Sequence, residues 1–282
     1  MITNICVTGA GTMGSGIALC AAQNGYPVIL FDTNEQVIEN AKKSIQKNLS
    51  ALVEKNKISE EEKSTIFGHI IFSSSINDCK ASLVIEAIIE KAEIKIDLFN
   101  ELAKINPTDT IFASNTSSLS INLLQAHISN PERVAGMHFF NPAQIMKLVE
   151  VVKADQTSDS VIDTLMQVCT QLKKTPVLCK DAPGFIVNRV ARHYYLEAMK
   201  LVENKLATIE TVDEVMEASG FKMGPFKLMD LIGNDINLAV TQSLYDAFHE
   251  EHRFQPSVLQ INKVKNGELG RKTGKGFYDY NG

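Results

Sequence analysis

The sequence predicts an α/β chain: a doubly wound sheet with an inserted helical hairpin, followed by an all-α C-terminal domain. Three observations carry that expectation. Short apolar, often β-branched segments alternate with amphipathic helical ones over residues 4–180. The first two such strands bracket Gly9-Ala10-Gly11-Thr12-Met13-Gly14, a glycine-rich turn that opens a helix. After Asp181-Ala182-Pro183-Gly184 the strands stop and helical spacing continues to Gln260. The boundary therefore falls at Pro183, with residues 1–183 forming an α/β domain and residues 184–282 a helical one.

The elements follow in order. Asn4–Thr8 reads as a buried strand, and a helical stretch follows from Gly16 through Ala22, with Gly25 placed as a C-cap glycine. Pro27–Phe31 is a second strand, ending on Asp32. Residues 34–57 form a long amphipathic helix with Ile38, Ala41, Ile45, Leu49 and Leu52 on one face. A second helix near Ser59–Phe67 makes the pair longer than an ordinary crossover, hence the hairpin. Its lysines, Lys42, Lys43, Lys47 and Lys55, read as a solvated face or as partners for an anionic substrate tail. Ile70–Ser73, Leu83–Glu86 and Ile111–Ser114 are strands, with a helix at Lys91–Ala103 before the last. Val134–His138 and Met146–Val152 are extended and joined through Phe139-Phe140-Asn141-Pro142, where Pro142 forbids regular helix. A helix at Ser158–Leu172 and a strand at Pro176–Cys179 complete this region. Beyond it, Val187, Val190, Tyr194, Ala198 and Leu201 form a helical stripe, and later helices begin near Thr208, Pro225, Asn234 and Pro256.

Composition narrows the function. A chain of 282 residues exceeds what one hydrophobic core usually serves, and 44% hydrophobic with 22% charged residues excludes a disordered chain. No apolar run approaches the roughly 20 residues that span a bilayer. Met1-Ile2-Thr3-Asn4 lacks the basic and apolar regions of a signal peptide, so a cytoplasmic protein with no membrane association is expected. A net charge of -5 argues against nucleic acid as a partner. The five cysteines, Cys6, Cys20, Cys79, Cys169 and Cys179, contain no CxxC pair and read as small core hydrophobes; no metal is expected.

Three places carry chemistry. The glycine fingerprint follows a strand, opens a helix, and is answered by Asp32 at the end of the second strand. In that setting the backbone can approach a pyrophosphate, and the acid can accept from ribose hydroxyls while repelling a 2′-phosphate. The cofactor is a dinucleotide, with NAD favoured over NADP. Ser114-Asn115-Thr116-Ser117-Ser118, after another strand, offers short polar groups that either bond a ligand or cap a helix starting at Leu119. Of the six histidines only His138 ends an apolar strand, and the returning strand can set Glu150 beside it. Such a pair suits hydride chemistry at a carbinol, the imidazole taking the hydroxyl proton and the carboxylate fixing its tautomer. Glu86 and Glu90 are further strand-end carboxylates, facing either cofactor or water.

On these and later motifs the sequence resembles the 3-hydroxyacyl-CoA dehydrogenase family, in its bacterial stand-alone 3-hydroxybutyryl-CoA form. The matching stretches run the length of the chain: the fingerprint ending in Asp32, VIEAIIE at 84–90, SNTSSL at 114–119 and GMHFFNPAQIMKLVEV at 136–151. They continue with KDAPGFIVNR at 180–189, MGPFKLMD at 223–230 and GRKTGKGFY at 270–278. The resemblance implies a Rossmann-like NAD-binding domain and a helical domain that binds substrate and dimerises. It implies reversible NAD-dependent oxidation of (S)-3-hydroxybutyryl-CoA, or another short 3-hydroxyacyl-CoA, to the 3-oxoacyl-CoA. His138 matches the catalytic base and Glu150 its partner, while Ser117 and Asn188 match residues that hold the reacting oxygen and orient the thioester arm. Gly9, Gly11, Thr12, Met13, Gly14, Asp32, Glu90, Lys95, Asn115, Ser117 and Asn141 match cofactor-binding positions. One position departs: Gln144 stands in the loop where proline is more usual, at no catalytic position. The rival readings are a β-hydroxyacid dehydrogenase acting on a free acid, typically through a lysine base, and a non-catalytic, crystallin-like relative. The apolar run of Phe221, Met223, Phe226, Leu228, Met229, Leu231 and Ile232, with the family's dimeric habit, predicts a homodimer through the helical domain.

Overall fold

The computed structural model describes residues 1–281. The chain divides into two compact units, Met1–Ala182 and the segment from Pro183 onward. The first unit contains eight strands: β1 (Ile5–Thr8), β2 (Val28–Phe31), β3 (Ile70–Ser73), β4 (Leu83–Glu86), β5 (Ile111–Ser114), β6 (Val134–Phe139), β7 (Leu148–Lys153) and β8 (Thr175–Lys180). They form one sheet in the order β3-β2-β1-β4-β5-β6-β7-β8. Every neighbouring pair is parallel except β6 with β7. A parallel pair needs a crossover, and helices α1 (Thr12–Gln23), α2 (Glu35–Glu54), α3 (Glu60–Gly68), α4 (Ala92–Ile105), α5 (Ile121–Gln125) and α6 (Asp159–Gln171) provide that covering mass. Between β6 and β7 only a short loop intervenes, so the chain turns straight back.

The strand order reverses at β1. The chain first builds outward to β2 and β3, then jumps back to lay β4 on the other side of β1. Loops leaving β1 and β4 therefore diverge, opening a crevice at the carboxyl edge of the sheet. The central strands β1, β4 and β5 are buried along their whole length, as sheets covered on both faces require. The hairpin of α2 and α3 lies against α1, burying Ile38, Ala41, Ile45 and Leu49. Asn34 caps α2 by accepting from the Gln36 amide, and Ser59 with Glu62 forms a reciprocal capping box on α3. Each cap contributes about 1 kcal/mol.

Three local expectations are corrected. Helix α1 starts at Thr12 rather than Gly16, because the fingerprint itself supplies the first turn. The helix after Ser118 starts at Ile121 under Ser120 as N-cap, not at Leu119. Thr116 Oγ1 accepts from the amides of Ser118 and Leu119 at 3.2 and 2.8 Å, and so holds those residues in a turn. In the second unit, helix α7 (Val187–Glu203) buries Arg192, Tyr195, Leu196, Ala198 and Met199, while Val190 of the expected stripe is exposed. The face is centred on an arginine that apolar periodicity cannot register. Its guanidinium donates to Asn237 O, Asn237 Oδ1 and Thr241 Oγ1 in α10 (Asn234–Ala247), at 2.7 to 2.9 Å.

The second unit also holds α8 (Ile209–Ala218), α9 (Pro225–Ile232) and α11 (Val258–Lys265). Its core gathers Tyr195, Leu196, Met199, Val212, Phe226, Met229 and Phe277. Two buried carboxylates organise it. Asp213 accepts from the first amides of α9, at Phe226 and Lys227, and from the Tyr278 hydroxyl, each at 2.9 Å. Asp230 accepts from the amides of Phe277 and Tyr278, drawing the glycine-rich tail onto α9.

Glu268, just after α11, sits between Lys263 and Lys275 at 2.6 and 2.8 Å. Hydrogen bonds from the two ammonium groups bring its carboxyl down to about 2. A carboxylate held below its unfolded value, about 4.3, stabilises the fold above that pH and loses the contribution as pH falls through the folded value. Glu268→Gln is therefore expected to flatten the fall of the thermal midpoint between about pH 4.3 and pH 2. Parallel midpoint curves for variant and parent would contradict this.

Candidate active site

The turn after β1 carries three glycines, of which Gly9 and Gly14 are required by the fold itself. Gly9 has φ +93°, and a Cβ there would stand 2.6 Å from the Ala87 carbonyl oxygen at the end of β4. A Cβ on Gly14 would meet Gly9 O at 1.7 Å, so only glycine lets α1 pack this closely on the turn that precedes it. Gly11 has nothing within 4 Å of a Cβ position, which faces open space. The first turn of α1 carries neither a side-chain cap nor an acidic residue. Its amides and dipole therefore suit an anion.

Asp32 directly follows β2 beside this turn. One carboxylate oxygen accepts from the Ala10 amide and the other from Asn34, both at 2.9 Å. Gly9, Gly11, Thr12, Met13 and Asp32 line one cleft of about 690 Å³ with Ala87, Ile88 and Ile89 after β4. Helix α4 adds Ile94, Asp97, Leu98 and Glu101, lining residues that no sequence motif indicated. Gly11 and Thr12 also border a smaller groove of about 340 Å³ with Asn141, Asn40 and Ser44. A glycine that leaves room at a helix N-terminus, with a carboxylate at the next strand end, fits a dinucleotide's pyrophosphate and adenosine ribose.

The same edge of the sheet holds the imidazole. β6 is parallel to β5, so its carboxyl end lies with those of β1 and β4, and His138 sits one residue before that end. Antiparallel register places Glu150 directly opposite His138. His138 Nδ1 and Glu150 Oε2 are 2.8 Å apart, with both side chains buried. The Phe140 ring packs on the imidazole with centroids 4.5 Å apart. Asn115 is brought in too: its amide donates to Glu86 O, and its Oδ1 accepts from the Phe139 amide at 2.8 Å, clasping β6 just past His138. Burial, then the charges of Glu150 and Asp181, push the Cys179 thiol up to about 12, so it is an inert neighbour. All five cysteines are buried thiols.

The carboxylates of the 84–90 segment divide. Glu86 faces neither cofactor nor water, which corrects its reading as a cleft-facing group. It is fully buried, accepting from Lys95 Nζ at 2.6 Å, Ser114 Oγ at 2.6 Å and the Ile88 amide at 2.8 Å. Burial raises its carboxyl, against the opposing pull of Lys95, Ser114 and Ile88. Glu90 is more than a third exposed. What burial it has works to raise its carboxyl, yet the charge of Lys95 and hydrogen bonds from Thr116, Lys95 and the Ser117 amide bring it below the ordinary value. Lys95 is 1% exposed and also lies 3.1 Å from Glu90 Oε2, so its ammonium is shared between two carboxylates. Removing one partner of such a buried pair costs about 3–5 kcal/mol. A carboxylate closing an all-apolar strand, with lysine in the first turn of the next helix, was the available signal. Asn188, the remaining candidate, lies in the first turn of α7 in the second unit.

A phosphate-ready turn answered by an acid directly after β2, with an imidazole and carboxylate paired along the same sheet edge, defines a Rossmann-type dehydrogenase. Comparison with known proteins narrows that class. The family models described as 3-hydroxyacyl-CoA dehydrogenase, NAD binding domain, and 3-hydroxyacyl-CoA dehydrogenase, C-terminal domain, match residues 4–182 and 184–280. The 3-hydroxyadipyl-CoA dehydrogenase of Escherichia coli (strain K12) is 44% identical over 99% of the chain, which spans 59% of that protein. A probable 3-hydroxybutyryl-CoA dehydrogenase of Bacillus subtilis (strain 168) is 40% identical over 99% of this chain and 98% of its own. A solved (S)-3-hydroxybutyryl-CoA dehydrogenase of Ralstonia eutropha superposes with a TM-score of 0.95 at 37% identity, covering both chains completely. The chain belongs to the 3-hydroxyacyl-CoA dehydrogenase family, and NAD is the cofactor of its first unit. Among the described residues no helix is long and apolar enough to cross a membrane.

The second and third glycines of the turn should separate binding from folding. Gly14→Ala is expected to lower stability severely, since the clash is with backbone. Gly11→Ala is expected to fold normally but to weaken NADH binding at least about tenfold, because its methyl group enters the space a pyrophosphate needs. Thermal melts with fluorescence titration of NADH check both; unimpaired binding by Gly11→Ala would remove the phosphate from this turn.

Proposed function

We propose that the chain catalyses reversible oxidation of a short (S)-3-hydroxyacyl-CoA, such as (S)-3-hydroxybutyryl-CoA, to the 3-oxoacyl-CoA. The observation that carries this reading is the buried His138–Glu150 pair, 2.8 Å apart in strand register. With Nδ1 turned to Glu150, Nε2 is the ring atom that exchanges a proton with substrate. In the oxidative direction His138 Nε2 takes the proton of the 3-hydroxyl, and the Glu150 carboxylate stabilises the imidazolium. In reduction the imidazolium returns that proton to the 3-keto oxygen. NAD, when bound, supplies the hydride acceptor at its nicotinamide ring. Ser117 is assigned to the reacting oxygen, and Asn188 to the thioester arm by its place in KDAPGFIVNR. Gly9, Gly11, Thr12, Met13, Gly14, Asp32, Glu90, Lys95, Asn115, Ser117 and Asn141 are assigned to the cofactor side. Asp32 favours NAD over NADP, because a carboxylate and a 2′-phosphate repel at one ribose edge.

Turnover of acetoacetyl-CoA with NADH, compared with NADPH and with the CoA-free 3-keto acid, tests the reading. A panel including the 3-hydroxyadipyl thioester asks whether the chain shares the preference carried in the name of its Escherichia coli relative. His138→Ala should lower kcat by about 10²–10⁴. Glu150→Gln should also fall mainly in kcat, and the double variant should be little worse than His138→Ala alone. Near-normal turnover by folded His138→Ala would end the assignment.

We also propose that two chains pair through the second unit. Of the apolar run near Pro225, Phe226 and Met229 are fully buried core, whereas Phe221, Leu231 and Ile232 remain exposed alongside Val215 and Ile236. So many large apolar groups exposed on one small helical unit favour a partner surface. Light scattering at micromolar concentration should give a dimer mass; a monomer would refute this.

A further inference from the structure

We propose that Glu86, which no step of the reaction uses directly, is a positioning residue that sets the Ser117 turn through two arms. The first arm is ionic. Glu86 holds the buried ammonium of Lys95 at 2.6 Å, and Lys95 in turn holds Glu90 at 3.1 Å. The other oxygen of Glu90 accepts from the Thr116 hydroxyl, from the amides of Ser117 and Ser118 at 3.1 and 3.3 Å, and from Ser118 Oγ at 3.1 Å. The second arm is a hydroxyl relay. Ser114 Oγ donates to Glu86 Oε2 at 2.6 Å and accepts from the Thr116 amide at 3.3 Å. Both arms end on the same few residues, and both begin on one carboxylate with no exposure to solvent.

The arrangement explains why a carboxylate is buried at the end of a core strand. Ser117 follows β5 in a loop, and a loop serine is positioned only as well as its backbone is held. Glu90 is partly exposed, and the buried ammonium behind it is what anchors its grip on the two amides. Lys95 would in turn lack a fully buried counter-charge without Glu86. Glu86 therefore fixes the geometry of the turn from inside the sheet, where packing prevents it from moving.

This inference rests on Ser117 serving the reacting oxygen, so the test carries one readout that is independent of turnover. In Glu86→Gln, hydrogen exchange at the Ser117 and Ser118 amides should accelerate at least about tenfold, while amides of β7 keep their protection. Turnover of acetoacetyl-CoA with NADH should fall about 10- to 100-fold in kcat, with KM for the thioester little changed. Combined with Ser117→Ala, Glu86→Gln should add little further loss, because the group it positions is already gone. If Glu86→Gln does not fold, Ser114→Ala carries the same measurements, since it cuts the second arm and leaves the ion pair in place. Unchanged exchange at Ser117 and Ser118, with the effect confined to melting temperature, would overturn the proposal. So would losses that multiply fully in the double variant. A parent protein that does not turn over acetoacetyl-CoA would instead refute the proposed activity, and the exchange measurement would still decide whether Glu86 sets the turn.

Discussion

Helix α1 approaches β1 so closely that a single methyl group on Gly14 would overlap the carbonyl oxygen of Gly9. Much of the first unit depends on that contact. It sets the helix against the sheet with its N-terminus aimed past the carboxyl end of β1, into the crevice made by the reversal of strand order. It also forces the sharp turn in which Gly9 takes a positive φ and the Ala10 amide reaches the Asp32 carboxylate. Loosening this packing would move the phosphate site and the ribose acid together, because both are fixed to the same few backbone atoms.

The sheet edge then assembles groups from distant parts of the chain without placing any of them on a long loop. Parallel strands deliver their carboxyl ends to one edge, so the residues closing β1, β2, β4, β5 and β6 all face the same region. The one antiparallel return, from β6 to β7, does something the parallel strands cannot. It sets a carboxylate directly across from an imidazole in the ladder, where register rather than side-chain search fixes the distance. Proton transfer rewards such fixed geometry.

Charge is managed with the same economy. Two carboxylates share one buried ammonium, and the hydroxyls and amides of the 114–118 segment complete their shells. Buried ions are tolerated when their remaining hydrogen-bonding capacity is filled, and here the filling groups belong to the loop that needs holding. The second unit uses neutral partners for its buried arginine, and backbone amides together with tyrosine hydroxyls for its buried aspartates. Its polar interior fastens helices and tail to one another.

The sequence by itself determined the alternation of strands and helices, the hairpin, the glycine turn with Asp32, and the pairing of His138 with Glu150. These are legible because each depends on local periodicity, on a backbone geometry only glycine accepts, or on the two-residue register of a strand and its return. Tertiary structure alone decided the rest. Glu86 reads as a cleft-facing acid until Lys95, nine residues on, is seen folded back onto it. Arg192 interrupts the apolar stripe of α7, yet marks its buried face, because partners at Asn237 and Thr241 come from a helix far along the chain. The turn at Thr116 moved the start of α5 for a similar reason: the hydroxyl that could cap a helix was already accepting from two amides and donating to Glu90. Polar burial is a property of a pair, and the sequence shows only one member of the pair at a time.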